Sequence, residues 1–152
     1  MINVFQTKGF LSSAGISSYS SGTPLTFDTL AAPTFIPSVY ACSYSSGTFT
    51  VNLAGPYLLE LVATPLSITS SSEGVQSFLQ VNGSQSTQQR TYSGNLRGGN
   101  SSYASILWTQ SFSEGDTFYL SLVLTGTPTC TVNGAFGPIQ STFFTVTYLG
   151  FI

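Results

Sequence analysis

Few side chains in this chain are suited to acid–base, nucleophilic or metal chemistry. The sequence has 152 residues, no histidine and two cysteines. Without histidine, the Ser/His and Cys/His arrangements of nucleophilic catalysis and most metal centres are excluded. A pair of carboxylates is the catalytic arrangement that remains. The acidic residues that supply it are Asp28, Glu60, Glu73, Glu114 and Asp116.

Glu114-Gly115-Asp116 is the one close acidic pair in the sequence. It lies between two strand-like runs, where glycine and aspartate are typical of a solvated turn. Catalysis by Glu114 and Asp116 is the alternative interpretation. The turn fits the local sequence better, so we expect no enzyme activity, no cofactor and no metal.

The chain is almost uncharged, with three basic and five acidic residues, or 5% of the total. A typical soluble domain has about 25% charged residues. Three basic residues cannot form the cationic surface that nucleic acid or anionic lipid requires. No apolar run approaches the roughly 20 residues of a membrane-spanning helix, and the start MINVFQTKGF lacks signal-peptide features. The neutral, Ser/Thr-rich composition favours an extracellular or particle-surface location.

Short strands dominate the chain, which we interpret as a single all-β domain over 1–152. Runs of β-branched and aromatic residues alternate with Gly, Pro, Ser and Asn clusters, as in sandwiches and barrels. The predicted strands are 2–7, 10–16, 24–29, 35–42, 47–53, 56–66, 74–82, 86–93, 102–112, 116–125 and 142–151. The predicted loops include 17–21, 69–72, 94–102 and 126–140.

Two kinds of strand are distinguishable by their alternation. Segments 74–82 and 116–125 carry apolar residues on one face and polar residues on the other, as in a sheet with one solvated face. Segments 56–63, 103–112 and 142–152 are apolar on both faces. A sheet built from them needs cover on its second face, and no predicted helix supplies it. A second copy of the chain is the simplest cover, so the pattern predicts an oligomer.

Glu60 interrupts the apolar segment 56–63. If Tyr57, Leu59 and Leu61 face the core, the period of two places Leu58, Glu60 and Val62 on the opposite face. A carboxylate buried there needs a cation or hydrogen-bond donors. Three interpretations stay open: a polar contact that specifies the assembly, a shared cation site on a symmetry axis, or a locally solvated side chain. The candidate partners are Lys8, Arg90, Arg97, Gln6 and Gln110.

An ordered set of landmarks resembles the tumour-necrosis-factor/complement globular-head superfamily of trimeric jelly rolls. The landmarks lie in 47–152 and are Phe49-x5-Gly55-x-Tyr57, Leu59, Leu61, Asn82-Gly83, Gly115-Asp116 and Tyr148-x-Gly150-Phe151-Ile152. Within the superfamily the chain is most similar to the head domains of bacterial spore-surface (exosporium) glycoproteins. These heads are also nearly uncharged and have a segment like TPLTFDT (23–29). Phage and virus fibre heads of this fold are similar in composition.

The resemblance implies an antiparallel two-sheet jelly roll of about ten strands that assembles as a homotrimer, with the doubly apolar strands at the three-fold axis. It also implies a non-enzymatic, surface-displayed structural or recognition head that binds a glycan or surface-protein ligand. The alternative is a receptor- or glycan-binding fibre head of a phage or virus. The candidate trimer-interface residues are Leu58, Glu60, Val62, Tyr103, Trp108, Phe143, Tyr148 and Phe151.

The topology of that superfamily also predicts the positions of the two cysteines. It pairs the strand that begins near Gly47 with the strand that ends near Thr125. Cys42 and Cys130 then lie at one end of the same sheet, where a disulfide is possible. The alternative is two free, small, apolar side chains.

Surface aromatic and asparagine residues give two further candidate sites. Tyr92 and Tyr119 are candidate ligand-facing aromatics, because aromatic faces stack on sugars. Ordinary exposed tyrosines explain them equally well. Asn82-Gly83-Ser84 and Asn100-Ser101-Ser102 match the glycosylation sequon, which also arises by chance in Asn/Ser-rich chains.

Overall fold

The computed structural model describes residues 5–11, 15–31, 41–66, 74–85, 91–93, 102–125, 129–132, 134 and 142–150. Within these ranges the chain consists of strands, turns and irregular segments, with no helix. The strands are β1 (Phe5–Phe10), β2 (Ile16–Ser20), β3 (Thr29–Ala31), β4 (Cys42–Ser45), β5 (Thr48–Val51), β6 (Gly55–Leu66), β7 (Gly74–Val81), β8 (Ser84–Gln85), β9 (Thr91–Ser93), β10 (Ser102–Phe112), β11 (Thr117–Thr125), β12 (Thr129–Val132) and β13 (Thr142–Tyr148).

The strands form two antiparallel sheets. Sheet 1 has seven strands in the order β2-β12-β6-β13-β1-β3, and β10 pairs with β6 as well. Sheet 2 has six strands in the order β4-β5-β11-β7-β8, and β9 also pairs with β7. The all-β, two-sheet prediction is therefore confirmed. The strand total exceeds the predicted ten or so because short strands such as β8 and β9 count separately.

The change of pattern after residue 53 marks the passage from one sheet to the other. Strand β5 belongs to sheet 2, whereas β6, which begins at Gly55, belongs to sheet 1. The doubly apolar segments become β6, β10 and β13, and β6 pairs with both of the others. The sequence prediction that these three segments share one sheet is confirmed.

Glycine and tyrosine residues build the corner where the chain changes sheets. Gly55 has a φ of 143°, and a Cβ there would lie 3.0 Å from the Tyr148 ring. The Tyr57 hydroxyl lies 2.7 Å from the carbonyl oxygens of both Ala41 and Leu53. The Tyr57 and Tyr148 ring centroids are 5.1 Å apart. These contacts explain why the Gly55-x-Tyr57 and Tyr148 landmarks occur together.

A stack of aromatic rings fills the space between the sheets. Phe118 of sheet 2 is fully buried. Its ring stacks on Phe49 and on Phe112, with centroid distances of 4.7 Å in both pairs. Phe144 of sheet 1 meets Phe49 edge-on at 4.8 Å. Aromatic contacts of this kind add to the area that the rings bury, so they join the two sheets into one core.

Two predicted loops contain strands. The 17–21 segment forms most of β2, and the 126–140 segment contains β12. Strand β2 is mostly serine, so its strand character comes from pairing with β12 rather than from its own alternation. Tyr19 fixes this segment because its buried hydroxyl accepts the Leu122 N–H at 2.8 Å. Most of the predicted 35–42 strand lies outside the described residues.

The prediction that one face of segment 74–82 is solvated is wrong for the middle of the strand. Leu79 and Val81 pack in the core, as expected. On the opposite face, Gln80 is 7% exposed and Phe78 only 2%. Ser121, which pairs with Phe78, is also fully buried. Alternation identified the two faces correctly, but a polar residue type such as glutamine does not by itself establish contact with water.

Candidate functional site

The face of sheet 1 that points away from the core is the candidate site. In β6, Tyr57, Leu59 and Leu61 are fully buried in the core. Leu58, Glu60 and Val62 alternate with them and are partly exposed. Side chains that alternate along a strand point to opposite faces, so these three lie on the outer side, as predicted.

We define the outer face of sheet 1 by eleven side chains in three rows that run across the paired strands. Residues in one row are direct cross-strand partners, so their side chains are neighbours on the same face. From β1 or β13 to β10, the rows are Gln6, Thr147, Leu58 and Thr109; Lys8, Thr145, Glu60 and Leu107; and Phe143, Val62 and Ser105.

Apolar side chains make this outer face unusual for an antiparallel sheet. Leu107 is 71% exposed, the largest value among the large hydrophobic residues described. Leu58, Val62 and Phe143 are partly exposed on the same face. The second face of an antiparallel sheet is ordinarily polar and solvated. A cluster of apolar groups there indicates a surface that contacts another molecule.

The middle row of the outer face contains one basic residue, Lys8, and one acidic residue, Glu60. Thr145 separates Lys8 from Glu60, which places their Cα atoms two strand spacings, or about 10 Å, apart. The Lys8 Nζ lies 4.8 Å from the centroid of the Phe143 ring. This is the geometry of a cation–π contact. Glu60 itself lies between Thr145 and Leu107.

The other predicted partners of Glu60 have different positions. Gln6 donates to the Thr147 hydroxyl oxygen at 3.0 Å, in the row next to Glu60. Gln110 is wrong as a partner, because it alternates with the outer-face residue Thr109 and accepts the Trp108 indole N–H at 3.4 Å. Arg90 and Arg97 lie outside the described residues.

Two of the predicted interface residues point the wrong way. Trp108 packs against the hydrophobic core, and Tyr148 belongs to it. Their strands carry large groups on both faces, so the sequence left the phase of the alternation undetermined. Phe143 does lie on the outer face. The side chain of Tyr103, and all of Phe151, lie outside the described part of the chain.

Leu107, Lys8 and Thr145, all in the middle row, are among the outer-face residues that sequence reasoning missed as interface candidates. Leu107 directly precedes Trp108 in the sequence. The sequence pattern favours the larger aromatic residue, Trp108, as the interface candidate. Leu107 is recognised as an outer-face residue because it is the cross-strand partner of Glu60. This partnership is known only once β6 and β10 are paired in the structure. Lys8 was considered as a partner of Glu60, although the structure places its amine on Phe143.

The predicted disulfide is wrong, because Cys42 and Cys130 lie near opposite ends of β6. Cys42 directly follows Ala41, whose carbonyl oxygen lies 2.7 Å from the Tyr57 hydroxyl. Cys130 is two residues from Val132, which pairs with Leu66. Tyr57 and Leu66 are nine positions apart in β6, or about 30 Å for an extended strand. After β11 the chain crosses to sheet 1, which carries Cys130 away from the sheet that contains Cys42.

Both thiols are free and buried, and burial raises the pKa of Cys42 to about 12 and that of Cys130 to about 11. We expect slow reaction of the native protein with a thiol reagent at pH 8, because little reactive thiolate is present. After denaturation, two thiols per chain should titrate without any reductant. Detection of no free thiol under those conditions would contradict the structure.

The close acidic pair forms a hydrogen-bonded turn. The Asp116 carboxylate accepts the Asn82 side-chain amide and the Ser113 backbone N–H, each at 2.8 Å. Asn82 in turn accepts the Thr117 N–H at 2.8 Å. The bonds from Asn82 and Ser113 hold the pKa of Asp116 below its ordinary value. Glu114 is exposed. These contacts give Asp116 a structural role and engage the side chain of the Asn82 sequon.

Replacing Asp116 by asparagine should lower the melting temperature at pH 7. An asparagine cannot accept hydrogen bonds on both sides, so one of the two donors loses its partner. The pKa of the folded state lies below the unfolded value near 3.8, so the stabilisation is present above that value and lost as the pH falls through the folded pKa. The wild-type and variant melting temperatures should therefore converge in acid.

Glu114→Gln is the matched control, because it removes one negative charge from the same turn and leaves the bonds of Asp116 intact. Its melting temperature at pH 7 should stay near that of the wild type. A constant difference between Asp116→Asn and wild type from pH 7 to pH 2 would contradict the assigned role of the carboxylate.

The candidate ligand-facing tyrosines occupy sheet 2. Tyr119 is partly exposed in β11, opposite Gln80 of β7. Tyr92 pairs with Gln76 in β9, and its side chain lies outside the described ones. Gln80 lies on the face of β7 opposite to the core residue Leu79, so its cross-strand partner Tyr119 faces away from the core.

The described ranges contain no candidate for a membrane-spanning helix and none for a metal centre. No helix there is long and apolar enough to cross a membrane. No group of three or more His, Cys, Asp or Glu residues there is placed to hold a metal ion.

Comparison with known proteins identifies the fold. No protein-family model matches the chain, and no curated protein matches it either. Among solved structures, Eiger TNF from S. frugiperda has a TM-score of 0.61 and 13% identity, with 99% of this chain and 95% of that chain covered. Murine APRIL has a TM-score of 0.56 and 14% identity, covering 96% and 99%. GITRL from bushbaby has a TM-score of 0.54 and 16% identity, covering 98% and 96%.

These similarities extend over nearly the whole chain, and they show a TNF-like jelly-roll fold. The sequence resemblance to the tumour-necrosis-factor superfamily is confirmed at the level of the fold. The aromatic core and the sheet corner at Gly55 are the parts of the structure that contain its landmark residues Phe49, Tyr57 and Tyr148.

Proposed function

We propose that this chain is a non-enzymatic, homotrimeric structural or recognition head displayed on the surface of a particle. The observation that carries the proposal is the apolar outer face of sheet 1. Leu58, Val62, Leu107 and Phe143 give this face the character of a subunit contact. The TNF-like fold supports a trimer, because the sequence resembles a superfamily of trimeric jelly rolls.

The turn at Asp116 supports a role without catalysis. This carboxylate is engaged by Asn82 and Ser113. A general acid or base needs a pKa near the working pH, whereas these bonds lower that of Asp116. In the close acidic pair Glu114 and Asp116, the Asp116 carboxylate therefore stabilises the turn.

Composition supports the proposed location. In a chain with 5% charged residues, neutral hydroxyl and amide groups supply most of the polar surface. This character suits a spore coat or virion, and the sequence resemblance to exosporium heads and fibre heads favours the same two settings. A receptor- or glycan-binding fibre head is the second candidate. It draws support from Tyr119, which lies on sheet 2 and stays accessible when sheet 1 is covered.

Antibody labelling of intact particles tests surface display. An antibody raised against the purified chain should bind unbroken spores or virions of the source, and the particle type that is labelled distinguishes the two settings. Labelling that requires rupture of the particle would contradict display. For the second candidate, a panel of immobilised glycans should retain the wild type and release Tyr119→Ala, and equal retention would contradict a role for Tyr119.

A further inference from the structure

Lys8 and Glu60 are two of the eight charged residues of this chain. The sequence has three basic and five acidic residues. One of each sign lies on the outer face of sheet 1, and both lie in the same cross-strand row. Charges are otherwise sparse, so their presence on a face that also carries Leu58, Val62, Leu107 and Phe143 calls for a physical reason.

Contact between copies would remove both side chains from water. An unpaired carboxylate in an apolar contact is strongly unfavourable. Within one copy, β13 lies between Glu60 and Lys8, and the Lys8 amine rests on the Phe143 ring of that strand. The neighbours of Glu60 across the ladders, Thr145 and Leu107, are uncharged. The lysine of a second copy is the opposite charge that the described face provides.

Cyclic symmetry makes such a pairing repeatable. In a heterologous interface, one patch of each subunit meets a different patch of the next, and three such contacts close a ring. A face that carries Lys8 and Glu60 at separate positions of one row lets the lysine of each subunit meet the carboxylate of the next, and the contact repeats three times around the ring. The opposite arrangement, with three Glu60 side chains meeting at the axis, brings like charges together.

We propose that Lys8 of one copy forms an ion pair with Glu60 of the next copy, and that this pair sets the register of the assembled subunits. The proposal rests on the trimer proposed above and assigns the contact that selects one alignment of the apolar faces. Apolar residues such as Leu58 and Val62 supply contact area that tolerates sliding. A buried charge pair penalises every alignment that leaves either group alone.

Charge reversal tests the pair. Lys8→Glu gives a face with two acidic groups, and Glu60→Lys gives a face with two basic groups. Each variant alone should raise the midpoint concentration of trimer dissociation by about tenfold or more, measured by sedimentation equilibrium. An equimolar mixture of the two should form mixed trimers at lower concentration than either variant alone. A contact within one chain cannot be restored by mixing, so this result identifies a contact between chains.

Thr50→Glu and Thr50→Lys are matched controls, because Thr50 is exposed on sheet 2. Each changes the net charge by one unit, as Lys8→Gln and Glu60→Gln do and half as much as the reversals, and should leave the midpoint unchanged. If a reversal variant fails to fold, the cycle of Lys8→Gln, Glu60→Gln and the double variant replaces it. The double variant should then lose no more assembly than either single variant.

Three results would overturn the pair: reversal variants that assemble like the wild type, a mixture no better than its components, or additive effects in the glutamine cycle. Dissociation of the wild type by EDTA, with no effect of Lys8→Gln, would assign Glu60 to a cation site instead. A wild type that is monomeric at every concentration would contradict the trimer itself. The mass of the wild type is therefore measured before any variant is compared with it.

Discussion

Phe118→Ala should lower the free energy of unfolding by about 3–5 kcal/mol, the range typical of a buried Phe→Ala change. Phe118 is fully buried between the rings of Phe49 and Phe112. Its removal leaves a cavity and breaks the Phe112–Phe118 contact, one of the aromatic contacts between the two sheets. Urea denaturation followed by tryptophan fluorescence measures the loss, since Trp108 packs against this core.

Thr50→Ala is the control for this experiment, because Thr50 directly follows Phe49 but its side chain is exposed. Its effect should stay within about 0.5 kcal/mol. If the protein assembles, both variants are compared at the same chain concentration, because assembly adds to apparent stability. A loss below about 1 kcal/mol for Phe118→Ala would contradict the central position of the ring.

Val62→Asp should prevent assembly while the fold is kept. Val62 lies on the outer face of sheet 1 between Phe143 and Ser105. Its partial exposure in the single chain leaves a carboxylate in contact with water there. In the proposed contact the carboxylate would lose that water beside apolar groups. We expect the midpoint concentration of trimer dissociation, measured by sedimentation, to rise about a hundredfold or more, which corresponds to about 5.5 kcal/mol per trimer.

Thr50→Asp adds the same charge to sheet 2 and should assemble like the wild type. Far-ultraviolet circular dichroism should show the same β-sheet spectrum for both variants. Val62→Asp that still assembles with wild-type affinity would show that the outer face of sheet 1 is not the subunit contact.

The two-sheet fold was predictable because its main signal is local. Phe49 and Val51 alternate with polar residues, whereas the segment after Gly55 is apolar on both faces. This contrast coincides with the change of sheet at Gly55, and the doubly apolar pattern grouped β6, β10 and β13. In β6 the period of two also placed Leu58, Glu60 and Val62 correctly, because the fully buried Tyr57, Leu59 and Leu61 fix its phase.

The outward-facing residues of β10, the existence of β2 and the position of Cys130 depend on pairing between residues that are distant in the sequence. In β10, Leu107 and Trp108 are adjacent apolar residues, and only the register with β6 shows which one faces outward. Strand β2 has little alternation of its own, and pairing with β12 defines it. The position of Cys130 follows from the sheet to which β12 belongs, and no local pattern encodes that choice. Long-range pairing therefore decided most details of the candidate site.

The mass of the wild-type protein in solution is the most direct test of the proposed trimer. One chain has a mass of 16.1 kDa, so a trimer has a mass of about 48 kDa. Sedimentation equilibrium at micromolar concentration should give the trimer mass, since the outer face of sheet 1 is then covered by other copies. A single species of 16.1 kDa at all accessible concentrations would contradict the proposed assembly and the function derived from it.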